Sequence, residues 1–186
     1  MTEIEVKAQL KDKKGVMEKL TALGCTFSDP KTQDDTVWVE QMGTMETFLS
    51  NKVFLRVRIQ NGEKIILTAK KSKEKTGNGS LVKREHEVLV DSAQEAEGIL
   101  EMLGLCRAVR TVKKRQTAHY KEYEICIDEI EHLGAFIEIE RIGEKEEAEN
   151  IQKEMIEFLI SLGVREEDRV QKGYDILMLE ENGPSL

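Results

Sequence analysis

Glu3-Ile4-Glu5-Val6-Lys7 places a charge on every second residue, and four later stretches do the same. They are Arg56-Val57-Arg58-Ile59, Glu85-His86-Glu87-Val88, Lys113-Lys114-Arg115 and Glu138-Ile139-Glu140. In a strand alternate side chains share a face, so each stretch stands two or three charges on one side of a sheet. The signs sort by stretch: acidic at Glu3/Glu5, Glu85/Glu87 and Glu138/Glu140, basic at Arg56/Arg58 and Lys113/Arg115. A solvated sheet face also alternates. It usually dilutes its charges with Thr, Ser and Gln, which these stretches do not. A sheet whose apolar side packs under helices, and whose charged side turns inward, would enclose a cavity suited to a polyanion carrying a metal ion.

Outward from these stretches the chain repeats itself. The first half reads ExEV, a helical stretch ending Leu23-Gly24, then a strand pair carrying Arg56 and Arg58. The second reads ExEV at Glu85, a helical stretch ending Leu103-Gly104, then Lys113 and Arg115. Self-similarity at this spacing predicts a duplicated β-α-β-β unit. Apolar residues at helical spacing predict helices over 12–24 (Val16, Leu20, Leu23), 92–103 (Ala96, Ile99, Leu100, Leu103) and 144–162 (Ala148, Ile151, Met155, Phe158, Leu159, Leu162). Gly24, Gly104 and Gly163 follow as helix stops. Strands are expected at 2–9, 33–40, 52–60, 64–71, 81–90, 107–118, 121–129 and 135–142, with a hairpin turn at Gly62-Glu63 and a mobile loop over 70–79. The predicted fold is α+β: an eight-stranded antiparallel β-barrel with three helices packed outside. Residues 1–178 are expected to form one domain and 179–186 a flexible tail.

At 186 residues the chain can bury a substantial core. Its net charge of -8 argues against a nucleic-acid binder that neutralises many backbone phosphates. No apolar run reaches membrane-spanning length and the N-terminus opens on a charged strand, so a cytoplasmic protein is expected, with no membrane partner. Cys25, Cys106 and Cys126 lack CxxC spacing and read as small buried residues of a reduced protein. Trp38 reads as packing, and the segment with Arg169, Lys172 and Tyr174 as a surface helix. No P-loop and no GxGxxG occurs.

Hard cations such as Mg²⁺ or Mn²⁺ prefer carboxylate oxygens and bind together with substrate phosphates. Glu3, Glu5, Glu138, Glu140 and Asp128 can supply such a wall. Lys7, Arg56, Arg58, Lys70, Lys113 and Arg115 can neutralise a triphosphate. Because clustered cations repel, Arg58→Ala is expected to leave stability unchanged or raised.

The ordered set Glu3-x-Glu5-x-Lys7, Arg56-x-Arg58, Lys70, Lys113-x-Arg115 and Asp128…Leu133-Gly134-Ala135-Phe136-Ile137-Glu138-Ile139-Glu140 resembles the CYTH domain, also called the triphosphate tunnel metalloenzyme family. The resemblance runs from residue 3 to about Tyr174. One departure is Lys71-Ser72-Lys73, which stands where the family often has a Gly-Pro turn. The resemblance implies an eight-stranded tunnel binding a triphosphate with Mg²⁺ or Mn²⁺. Glu3, Glu5, Asp128, Glu138 and Glu140 would hold metal, and Lys7, Arg56, Arg58, Lys70, Lys113 and Arg115 phosphates. Lys7, Glu85 and Asp128 would be the catalytic candidates, Glu85 because it matches an acidic tunnel position. The activity it implies first is that of a class IV adenylyl cyclase, converting ATP to cyclic AMP and pyrophosphate. The alternatives are a triphosphatase acting on tripolyphosphate, thiamine triphosphate or a nucleoside triphosphate, and a non-catalytic polyphosphate or nucleotide sensor. The partner expected is a small-molecule triphosphate, with homodimerisation left open.

Overall fold

A computed structural model describes residues 2–72 and 83–182. Most of the expected 70–79 loop and the last four residues lie outside the described residues. The strands are β1 (Thr2–Gln9), β2 (Lys31–Val39), β3 (Val53–Gln60), β4 (Lys64–Ser72), β5 (Lys83–Val90), β6 (Cys106–Tyr120), β7 (Tyr123–Ile130) and β8 (Gly134–Gly143). The helices are α1 (Lys13–Ala22), α2 (Met45–Ser50), α3 (Ala93–Met102), α4 (Ala148–Ser161) and α5 (Tyr174–Asn182). All eight strands share one sheet in the order β1-β8-β7-β6-β2-β3-β4-β5.

Each half of the chain is one strand longer than the expected β-α-β-β unit: β1-α1-β2-α2-β3-β4, then β5-α3-β6-β7-β8. The leading strands are exchanged. β1 pairs antiparallel with β8 of the second half, and β5 pairs antiparallel with β4 of the first. The chain accordingly forms two compact units, Met1–Lys31 with Lys114–Gln171, and Thr32–Lys113 with Lys172–Leu186.

In the first unit, Ile4, Val6 and Ala8 of β1, Ile125 and Ile127 of β7, and Ile137 and Ile139 of β8 are buried in one cluster. The same cluster holds Val16 and Leu20 of α1 and Ile151, Met155 and Leu159 of α4. These are the residues between the charges, so the apolar side of the alternation meets the helices as expected. Asp12 caps α1, its Oδ1 accepting from the Gly15 amide at 2.9 Å. The outer edge of β1 is covered within this unit, where the Val170 amide donates to the Lys7 carbonyl at 2.9 Å.

In the second unit, Trp38 and Val57 pack with Ala96 and Leu100 of α3. A separate cluster of Val37, Val39, Phe48, Ala108 and Leu179 brings in α2 and α5. The short α2 was not expected. Residues 179–182, expected as tail, continue α5, because Leu179 is buried there. Asn61 and Gly62, at φ 54° and 73°, make the tight β3–β4 turn. Gly24, Gly104 and Gly163 all take positive φ just past α1, α3 and α4, as helix stops do. No helix among the described residues is long and apolar enough to cross a membrane.

Ile139 lies across from Val6 on one side and Ile125 on the other. Ile139→Ala should therefore lower the stability by roughly 2–5 kcal/mol, through lost burial and the cavity left behind. Urea unfolding followed by circular dichroism checks this.

Candidate functional site

The first unit gathers the acidic residues. Across the β1–β8 ladder, Glu5 lies opposite Glu140 and Lys7 opposite Glu138. On the other side of β8, Glu124 lies opposite Glu140 and Cys126 opposite Glu138. Glu140 thus stands between two carboxylates in cross-strand pairs, an arrangement a sheet disfavours. Carboxylate oxygens of Glu3, Glu5 and Glu140 come within 4.8 Å of one another. Burial, then the charges of Glu3, Glu138 and Glu5, push the Glu140 carboxyl up to about 7, against the pull of Arg115. A crowded, oxygen-only donor set of this kind fits a hard divalent cation.

The neighbouring charges are paired. Lys7 Nζ lies 2.9 Å from Glu138 and 3.1 Å from Glu5. Arg115 donates from Nε and Nη2 to the two oxygens of Asp128, at 2.7 and 2.5 Å, and from Nη2 also to Glu138. Asp128 is fully buried, and Glu138 nearly so. Burial alone would lower the Lys7 pKa, but Glu138 and Glu5 more than offset it and hold the ammonium above its ordinary range. Lys7 is therefore a fixed positive charge and a poor proton acceptor. Both Asp128 oxygens accept from Arg115, which makes Asp128 a residue that orients Arg115.

Cys25 is buried in the apolar cluster as expected. Cys126 is buried too, as expected, but on the charged face. Its Sγ lies 3.7 Å from Thr117 Oγ1, and its thiol donates to Glu124 Oε1 at 3.8 Å. Burial pushes that thiol up to about 12, so it stays protonated.

The second unit gathers most of the cations. Arg56, Thr68 and Glu87 form one cross-strand row over β3, β4 and β5, and Lys70 lies opposite Glu85. Arg56 Nη2 donates to Thr68 Oγ1 and to Glu87 Oε1, each at 3.0 Å, and Thr68 Oγ1 donates to the same Glu87 oxygen at 2.8 Å. Lys70 Nζ lies 3.0 Å from Glu85, and Arg56 Nη2 lies 3.6 Å from it. Arg56 Nε is buried and has no hydrogen-bond partner among the described residues. Arg58 donates from Nε and Nη2 to Asp35 at 2.6 and 2.7 Å. Asp35 is only 7% exposed. Burial would raise its carboxyl, but the Arg58 hydrogen bonds and charge hold it below the usual range. Lys113, also buried, places Nζ 5.0 Å from the centre of the Tyr174 ring, a cation–π contact made by the first residue of α5.

The sequence-predicted residues thus fall into two sets. Glu3, Glu5, Lys7, Arg115, Asp128, Glu138 and Glu140 lie in the first unit, and Arg56, Arg58, Lys70, Glu85 and Lys113 in the second. The expected basic pair Lys113/Arg115 is divided between them. Asp35, Thr68 and Glu124 were missed. Asp35 follows another acid, Asp34, and Glu124 stands near the β6–β7 turn, so both read as solvated, and only the strand register shows that they meet Arg58 and Glu140.

Residues 1–174 match the CYTH domain model, and the chain belongs to that family. A curated protein of Methanocaldococcus jannaschii, named "Putative adenylate cyclase", is 28% identical over 175 residues, covering 94% of this chain and 97% of that one. A solved protein of Pyrococcus horikoshii OT3 superposes with a TM-score of 0.78 at 26% identity, covering 97% of this chain and 99% of that one. A Hippeastrum protein, named "Putative adenylyl cyclase" and described as having a dominant triphosphatase activity, shares the fold. Its TM-score is 0.65 at 20% identity, covering 99% of this chain and 97% of that one.

Asp35 reverses the expectation for Arg58. Removing the guanidinium leaves a buried carboxylate without its bidentate partner, so Arg58→Ala should destabilise by roughly 3–5 kcal/mol, not leave stability unchanged. Chemical denaturation of the variant measures it.

Glu140 sets a pH dependence of the opposite kind to a salt-bridged acid. Its folded pKa lies above its unfolded value, so between these values the native state binds the extra proton. Without divalent metal, stability should rise as pH falls from 8 toward 5.5. Glu140→Gln should flatten that slope and be the more stable of the two at pH 8. Thermal melts across this range test both.

Proposed function

We propose that this chain is a divalent-metal-dependent enzyme acting on a triphosphate. The observation that carries this is the sorting of charge. Glu3, Glu5 and Glu140 bring carboxylate oxygens within 4.8 Å of one another. In the second unit, Arg56, Arg58, Lys70 and Lys113 are half-buried or buried cations. The buried, unpartnered Arg56 Nε is a donor that a phosphate oxygen would satisfy.

In this reading Glu3, Glu5 and Glu140 would hold Mg²⁺ or Mn²⁺. The bound metal would neutralise phosphate charge and lower the pKa of the attacking hydroxyl or water. Arg56, Arg58 and Lys70 would orient the phosphates and stabilise the charge that grows on the leaving group. Asp35 keeps the Arg58 fork in place, as Asp128 keeps that of Arg115. Lys7, held as an ammonium by Glu5 and Glu138, would contribute charge and not accept a proton.

The finer reading is ATP cyclisation. The ribose 3′-hydroxyl loses its proton to solvent and attacks the α-phosphorus, the bond to the bridging oxygen breaks, and pyrophosphate leaves. The name of the Methanocaldococcus protein, aligned over nearly its whole length, favours it. The second reading is hydrolysis, with water as the nucleophile, and the triphosphatase activity described for the Hippeastrum protein favours that.

Incubation with ATP or tripolyphosphate and either metal, followed by product separation, distinguishes them. Cyclic AMP with pyrophosphate supports cyclisation, and phosphate release supports hydrolysis. Arg56→Gln should reduce either activity by about 100-fold, the scale of losing one charge-stabilising donor. No product with either substrate would contradict the proposal.

A further inference from the structure

Glu85 and Glu87 of the second unit are held differently from Asp35. Asp35 is enclosed: its side chain is 10% exposed and both of its oxygens are taken by Arg58. Glu87 and Glu85, two residues apart on β5, have side chains 47% and 35% exposed. Their oxygens nonetheless take Arg56 Nη2, Thr68 Oγ1 and Lys70 Nζ, and in the triphosphate reading Arg56 and Lys70 are phosphate donors. Arg56 is engaged on its Nη2 side while its Nε stays without a partner, so this carboxylate pair satisfies the guanidinium only in part.

We propose that Glu85 and Glu87 are built-in competitors for the phosphate donors of β3 and β4, and that they set the preference for long over short polyphosphates. An incoming anion must displace two partly solvated carboxylates from Arg56, Thr68 and Lys70. A triphosphate carries enough charge and enough oxygens to replace both. Pyrophosphate replaces them less well, and orthophosphate least. The displaced carboxylates swing toward solvent, where their exposure already places them. They return as the chain of phosphates shortens, which favours release of the shorter product. Asp35 has no such exit and stays on Arg58 throughout. This inference rests on the triphosphate reading above. It adds a role for Glu85 different from the catalytic one expected of it.

Calorimetric titration of the full chain with tripolyphosphate and with pyrophosphate, in chelator and without metal, tests it. Glu85→Gln/Glu87→Gln should bind pyrophosphate about tenfold more tightly than wild type, with a smaller gain for tripolyphosphate, so that the preference narrows. Asp35→Asn removes the same kind of charge but frees the Arg58 fork, and should weaken both ligands. Equal tightening by Asp35→Asn would overturn the inference, because general electrostatics would then account for the gain. So would unchanged or weaker pyrophosphate binding by the double variant. If the double variant does not fold, Glu87→Gln alone carries the test, at about threefold.

Arg56→Gln separates the two claims. If it weakens tripolyphosphate binding while the β5 variants do not tighten pyrophosphate, the inference fails and the triphosphate reading stands. If neither the wild type nor any variant binds tripolyphosphate at millimolar concentration, in chelator or with saturating Mg²⁺, both fail.

Discussion

A carboxylate buried on the charged face of a sheet must find a cation or give up its charge, and that constraint organises both units of this protein. Asp128 is fully buried and meets Arg115 with both oxygens. Arg115 also reaches Glu138, which reaches Lys7, which reaches Glu5. Each link relieves the desolvation of the next, and removing any one leaves its neighbour charged and unsolvated. Where this chain of pairs ends, Glu5, Glu3 and Glu140 crowd together, and Glu140 responds by holding its proton up to about pH 7. The second unit repeats the rule with opposite emphasis. Asp35 is locked to Arg58, whereas Arg56 and Lys70 are covered by carboxylates that remain half in water.

The exchange of leading strands explains how one chain builds two such faces. β1 leaves the hairpin that follows it and joins β8, which brings Glu5 against Glu140. β5 joins β4, which brings Glu85 against Lys70. Each compact unit therefore draws its charged face from both halves of the sequence. β6 is long enough, at 15 residues, to serve both units. Lys113 falls to one and Arg115 to the other.

Much of this was legible beforehand because a strand's period of two is simple to read and because Ile and Val fill the alternate positions. The alternation located the charged faces, and glycine stops closed three helices close to their observed ends. The pairing of the strands was not legible. The exchange of β1 depends on contacts between residues more than 100 positions apart, as for Glu5 and Glu140, whereas β5 pairs with the strand just before it in the chain. Asp35 was missed for this reason: beside Asp34 it looks like a solvated acid, and only its register against Arg58 makes it a buried partner. The same gap reversed the expectation for Arg58, since mutual repulsion among cations matters less than one bidentate carboxylate at 2.6 Å. Cys126 is buried and free as expected, but the sheet face and not the residue type fixes its polar surroundings. α2 and α5 carry little amphipathic pattern. A helix near Tyr174 was expected, but no local signal announces that Leu179 packs it into one small cluster with Phe48 of α2.

The central claim is that Glu3, Glu5 and Glu140 form the divalent-metal site of the first unit. Titration of the wild-type chain with Mn²⁺, following the free ion by electron paramagnetic resonance, tests it without reference to turnover. The account predicts saturable binding in the wild type and a loss of at least about tenfold in affinity in Glu5→Gln and in Glu140→Gln, with both variants folded. Unchanged Mn²⁺ affinity in both variants would contradict it.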